Sequence, residues 1–372
     1  MRQHDREPSI MLKILDRYII KKFLSTFFFV VLIFTLISVV IDYSEKVEKF
    51  IEEPITRKEI MLDYYPSFII FIDGLLWPLF TLISVIFFTS RMAYNSEIIS
   101  ILNAGVSFRR LMRPYLISAG IIAFLSLIGN HYFIPLGNKK RLDIQYTYLD
   151  HDKDKGKTRD VHMFVAPDTK IYINFYRKRD STARNFRLEQ YHDQELTKFI
   201  KATTAEWLGP PDRWRLRNYE IRTFNGLEET LVVGRGQQLD TTFNLLPGDF
   251  VDFEEQQSML TTSDLRAYIN KQKDRGVGNT TKYEIELYRR SADPVTAFIL
   301  TFIGVSIAAR KVRGGIGLHL AMGIGLGALF IFIARFSIVF ATGQTIPPML
   351  GIWLPNIIFA GVALLLISRA QK

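Results

Sequence analysis

Among the residues that could do chemistry, Glu97 is conspicuous for its isolation. In segment 91–113, RMAYNSEIISILNAGVSFRRLMR, it is the single acid beside Arg91, Arg109, Arg110 and Arg113. Asn95 or Ser96 can cap a short helix here, over about 95–105, and Gly105 can end it. Glu97 then lies in the first turn, where the aligned amides favour a carboxylate. Such a group is commonly a capping charge only. It is also what the Arg or Lys of a partner would recognise. Two further ionisable residues, Asp73 and Arg335, fall inside long apolar runs. Each would cost about 2.5–3.5 kcal/mol at a bilayer centre, so each needs a partner or water. They can pair with each other, or Asp73 can sit near an interface.

Other chemistry is missing from the sequence. With no Cys, structural disulfides, thiolate metal sites and thiol nucleophiles are all excluded. No H-E-x-x-H, G-x-S-x-G or G-x-x-x-x-G-K-[ST] occurs, and the glycine-rich stretches 276–278 and 314–317 lack the phosphate-loop spacing. His151, His162 and His192 have no metal-ligand spacing and read as dispersed surface residues. No catalytic, metal or cofactor site is expected. If the chain moves something uphill, a partner or an ion gradient supplies the energy.

The elements that hold these residues follow from hydropathy. The chain has 372 residues, 48% hydrophobic and 23% charged, with mean hydropathy +0.10 and net charge +10. Segment 23–41 runs nineteen residues without a charge, about 30 Å of helix and enough to cross a hydrocarbon core. Comparable runs occupy 64–89, 116–134, 315–341 and 349–368. A shorter one at 294–309 can be extended by the preceding YEIELYRRSAD. Between them, 135–292 has no such run and holds 51 charged residues. The expected fold is therefore a polytopic α-helical membrane protein with six transmembrane helices, 3+3, and an inserted β-jelly-roll-like domain. Helices one to three fall in 1–134, the inserted domain in 135–292 and helices four to six in 293–372.

Charge placement supports both count and orientation. If the N-terminus is cytoplasmic, the inner pieces 1–22, 91–113, 310–316 and 369–372 carry fifteen cations against four acids. Losing the fourth span would put Arg310, Lys311 and Arg313 outside. The basic balance is thus a topology signal rather than a nucleic-acid footprint. The first apolar run is too long for a cleavable signal and reads as a retained helix.

In the inserted domain, Ile171, Ile173 and Phe175 alternate with Tyr172, Asn174 and Tyr176, and Trp214 and Leu216 alternate with Arg213, Arg215 and Arg217. Further strands are expected at 196–207, 219–224 and 230–244. A helix should follow, capped by Ser263, burying Leu265 and Ile269 and stopped by Gly276. A binding or docking role fits this domain better than catalysis. In the fifth span Gly317, Ala321 and Gly325 recur every four residues, as do Gly323 and Gly327, marking a helix-packing seam within the chain or with a second subunit.

The chain resembles the LptF/LptG permeases of the lipopolysaccharide export ABC transporter over nearly its whole length. Leu15-Asp16-Arg17-Tyr18-Ile19 is similar to the family's opening, closer to the LptG branch. Ser96-Glu97-Ile98 with Asn103-Ala104-Gly105-Val106-Ser107 is similar to its coupling-helix motif, and 283–294 leads into span four as in the family. The resemblance implies an inner-membrane permease subunit that pairs with a second LptF/LptG-type permease and with an LptB-like ATPase dimer. It implies transfer of lipopolysaccharide toward an LptC/LptA-like periplasmic bridge. Glu97, with Arg91 and Gly105 in the same segment, would couple to the ATPase, and Lys46 and Lys49 would meet lipid A phosphates. Glu45, Glu48, Glu52 and Glu53 offer those lysines local ion pairs instead. A permease of the same architecture for another lipid or a lipoprotein, and a membrane-anchored periplasmic scaffold, are the alternatives.

Overall fold

The computed structural model describes residues 14–149, 158–210, 212–250, 255–276, 280–310, 312 and 315–370. They form two compact units, Met1–Arg141 with Glu284–Lys372, and Leu142–Tyr283. The second lies inside the 135–292 stretch read from charge. Its limits are narrower because the helices Ile134–Ile144 and Thr281–Ala308 carry polar turns beside the apolar runs.

In the helical unit the elements are α1 (Ile14–Glu52), α2 (Arg57–Glu59), α3 (Tyr65–Tyr94), α4 (Glu97–Asn103), α5 (Phe108–Ile128) and α6 (Ile134–Ile144). Single π-helical turns at Ile60–Tyr64 and Gly129–Phe133 lead into α3 and α6. Six helices among the described residues are long and apolar enough to cross a membrane, and the fourth is the least apolar and the most enclosed. A helix surrounded by other helices can carry polar residues that a lipid-facing one cannot.

Helix α1 illustrates the packing. Ile19, Phe23, Phe27 and Val30 recur at four- and three-residue intervals and are buried. Phe23 stacks on Phe88 of α3 with centroids 6.4 Å apart, and Phe27 meets Trp77 edge-on at 5.0 Å. The opposite face, with Phe28, Phe29, Leu32, Leu36 and Val40, is apolar yet exposed, as a bilayer requires.

The β unit contains β1 (Arg159–Ala166), β2 (Thr169–Arg177), β3 (Thr182–His192), β4 (Glu195–Gly209), β5 (Arg213–Asn225) and β6 (Glu228–Thr242). These pair as one antiparallel sheet in the order β1-β2-β3-β4-β5-β6, a meander without a Greek-key crossing among the described strands. One face buries Val161, Ile171, Ile173, Phe186, Leu188 and Trp214. The segment after β6 closes over that face. Trp214 Nε1 donates to the Leu245 carbonyl at 2.9 Å, and Phe250 stacks on Tyr176 at 3.8 Å.

Helices α7 (Gln256–Met259) and α8 (Thr262–Asp274) follow. Leu265 and Ile269 are buried and Gly276 has φ +75, as the sequence pattern predicts. The cap differs: Thr261, not Ser263, accepts from the Asp264 amide. Thr261 is the residue with extended backbone, which turns its hydroxyl back over the first turn. Arg275 is buried and donates to Asp249 at 2.7 Å and to the Asn244 carbonyl. Returning to the helical unit, the chain continues as α9 (Thr281–Ala308), α10 (Gly315–Thr342) and α11 (Pro348–Ala370).

Candidate functional site

Helix α4 is a seven-residue projection between α3 and α5. Ile98, fully buried, anchors it to the bundle. Its C-terminal end closes as a Schellman turn: Gly105 N donates to Leu102 O, Val106 N to Ile101 O, and Gly105 takes φ +83. Its N-terminus departs from the expected cap. Ser96 adopts φ 62 and its side chain makes no capping hydrogen bond. That left-handed residue turns the chain sharply out of α3. Asn95 acts on Glu97 instead, its Nδ2 donating to Oε1 at 3.3 Å.

Glu97 is half-buried and not a free carboxylate. Tyr18 of α1 donates its hydroxyl to Glu97 Oε2 at 3.2 Å. Arg91 stands exposed at the end of α3 beside it. One more contact secures this end of the bundle. Arg110 Nη1 and Nη2 reach the buried Asp16 carboxylate at 2.7 and 2.6 Å. No spacing signal marks a pair 94 residues apart.

A profile of the family described as "Lipopolysaccharide export system permease LptF/LptG" matches residues 17–369. The chain belongs to the LptF/LptG family. It is also 23% identical to the lipopolysaccharide export system permease protein LptG of Haemophilus influenzae, over 97% of this chain and 100% of that protein.

The remaining sequence candidates of this LptF/LptG chain separate in the structure. Lys46 is engaged: Nζ donates to Asp42 Oδ1 at 2.5 Å and to the Tyr64 hydroxyl, and it lies over the Tyr64 ring, 5.1 Å from its centroid. The partner is Asp42, one turn earlier, rather than the glutamates suspected from the sequence. Lys49 is exposed on the same helix. Asp73 does not pair with Arg335. Its Oδ1 accepts from the Thr35 hydroxyl at 2.6 Å, whereas Arg335 is exposed on α10. A short hydroxyl on α1 satisfies the half-buried carboxylate without a second charge.

The two glycine stripes also divide. A Cβ on Gly323 would come within 2.2 Å of Ile86, and one on Gly327 within 3.3 Å of Leu79 and Leu82, so this stripe forms the seam with α3. Gly317 and Gly325 have nothing within 4 Å of such a Cβ, and Ala321 is exposed beside them. Sequence spacing could not tell the stripes apart because both repeat every four residues. An intrachain seam that the sequence did not reveal lies at Gly351. There a Cβ would meet Ala341 Cβ at 2.5 Å, and the Ser337 hydroxyl donates to the Gly351 carbonyl at 2.5 Å.

Proposed function

We infer that this chain is a lipopolysaccharide-export permease subunit of the bacterial inner membrane. It acts with an ATPase that it does not itself contain. The observation that carries this reading is the family match across 17–369, on a chain with three span-capable helices before an inserted β unit and three after it. Both termini are cytoplasmic and the β unit periplasmic, an orientation supported by the cations at 91–113 and 310–316.

In this reading α4 docks on an LptB-like ATPase dimer, with Glu97 presenting its charge to a basic side chain and Arg91 and Gly105 shaping the projection. Phosphates of lipid A meet Lys49, with Lys46 behind it on the same helix. Cations at headgroup level answer phosphate while the exposed apolar face of α1 suits acyl chains. The open stripe Gly317, Ala321, Gly325 packs against a second LptF/LptG-type permease. The β unit passes lipopolysaccharide to an LptC/LptA-like bridge.

The test is depletion of the protein in its host, followed by pulse-labelling of lipopolysaccharide. Labelled lipopolysaccharide should accumulate in the inner membrane and fail to reach the cell surface. Unchanged arrival at the surface overturns the reading.

A further inference from the structure

A groove of about 150 Å³ opens between the N-terminal part of α1 and the C-terminal end of α3. One wall is a stripe of α1, Tyr18, Lys22 and Thr26, at successive four-residue steps. The other is a stripe of α3, Phe87, Arg91 and Asn95, at the same steps. Residues four apart share a helix face, so the two stripes line one opening. Glu97 stands at its polar end, with both carboxylate oxygens already answered by Tyr18 and Asn95.

The cations are not answered. Among the described residues neither Lys22 nor Arg91 forms an ion pair, although a carboxylate lines the same groove. Their depth is informative. Lys22 immediately precedes the uncharged run 23–41, and Arg91 lies two residues beyond the run 64–89. Both therefore stand at headgroup level on one membrane face. Below them the lining turns apolar: Phe87 is 38% exposed and Phe88 lies beside it against Phe23. The groove thus runs from polar side chains, through two unpaired cations, to exposed aromatic carbon.

We propose that this groove binds the phosphate of an anionic glycerophospholipid between Lys22 and Arg91. Arg and Lys give charge-assisted hydrogen bonds to phosphate oxygens, and basic pockets between helices at this level suit anionic headgroups. A free phosphate would use the cations but not the aromatic end. The polarity gradient favours a lipid, whose acyl chain continues along Phe87. On the orientation inferred above this is the cytoplasmic leaflet, so the bound lipid would sit against the coupling helix and bear on Glu97. The lipid site itself does not depend on lipopolysaccharide export.

The experiment uses the full chain in nanodiscs of phosphatidylcholine doped with a photoactivatable phosphatidylglycerol, with labelled peptides mapped by mass spectrometry. Labelling should concentrate in 18–26 and 87–95 and fall roughly tenfold or more in a Lys22→Gln/Arg91→Gln variant. It should persist in Lys22→Arg/Arg91→Lys and in a Lys21→Gln/Arg109→Gln control. Equal labelling in the neutralised variant, or equal labelling by a phosphatidylcholine probe, overturns the proposal. Displacement by inorganic phosphate as effective as by unlabelled phosphatidylglycerol assigns a free-anion site instead. Absence of lipid labelling, combined with loss of ATPase binding in the neutralised variant, assigns the groove to an acidic protein segment. None of these readouts measures export, so failure here and failure of the export reading are distinguishable.

Discussion

Arg110 places both terminal nitrogens on the carboxylate of Asp16, at 2.7 and 2.6 Å, and so ties the start of α1 to the start of α5. Asp16 is almost fully enclosed, whereas the Arg110 side chain retains 29% of its exposure. Removing the arginine takes a bidentate partner from a buried carboxylate; removing the aspartate leaves a cation that water still reaches. Arg110→Met should therefore lower stability by about 3 kcal/mol and Asp16→Asn by less. The double variant should be less damaged than the sum. Thermal unfolding of the four proteins in detergent checks this, and additive losses would contradict it.

The Tyr18–Glu97 contact separates charge from packing at the coupling helix. Glu97→Gln keeps an acceptor for Tyr18 but removes the charge; Tyr18→Phe does the reverse. If a basic ATPase residue reads the charge, Glu97→Gln should weaken association roughly tenfold or more, and Glu97→Lys should abolish it. Tyr18→Phe should leave association within about twofold. Co-purification with the ATPase measures all three.

Lys46 and Lys49 should not behave alike. Lys46→Glu would set a second carboxylate one turn from the buried Asp42 and lose the contact to Tyr64. It should destabilise the chain by about 2–4 kcal/mol, so any loss of lipid crosslinking would follow from misfolding. Lys49→Glu should reduce photocrosslinking to lipopolysaccharide while lowering the melting temperature far less than Lys46→Glu does, because Lys49 is exposed. Wild-type crosslinking by Lys49→Glu would remove that residue from the headgroup site.

Glycine positions test which seam belongs to the chain. Gly351→Ala drives a methyl toward Ala341 Cβ and the Ser337 carbonyl, neither of which can swing aside. A cost of about 1–3 kcal/mol is expected. Gly317→Leu should leave the isolated chain's stability unchanged and impair pairing with a second permease, read by pull-down. Intact pairing would show that this stripe faces lipid.

In the β unit, burial pushes the Asp249 carboxyl up, but the Arg275 hydrogen bond, the Leu246 amide and the charges of Arg275 and Lys271 outweigh it and hold it below the usual carboxylate range. A depressed folded value means the stabilisation is full above the unfolded value, about 3.9, and drains away as pH falls through the folded one. Pulse proteolysis of the full chain should show the β unit weakening below about pH 4. Asp249→Asn should be weaker at neutral pH and lose part of that acid dependence. An unchanged acid profile would remove Asp249 from the account.

What the sequence determined by itself was the membrane architecture. Uncharged runs long enough to cross a bilayer, and cations clustered between alternate runs, are one-dimensional properties, and bilayer thickness converts them directly into spans. Strand alternation at Ile171 and Ile173 and the helix carrying Leu265 and Ile269 were legible for the same reason, because periodicity of 2 or 3.6 encodes a face. The alternation breaks at the end of β2, where Tyr176 rather than Phe175 is buried against Phe250. Which face meets which neighbour was decided only in three dimensions. Gly323 and Gly317 share one spacing, yet only the first lies against Ile86. Asp73 was expected to need a partner or water, and only packing shows that the partner is the hydroxyl of Thr35 rather than Arg335. Asp16 and Arg110 belong to separate motifs and meet only when α1 packs on α5. Segment 91–113 held Glu97 as a lone acid in the sequence. The fold gives it Tyr18 and Asn95 and leaves Lys22 and Arg91 without a counter-charge among the described residues, because side-chain pairing depends on distances that packing alone sets.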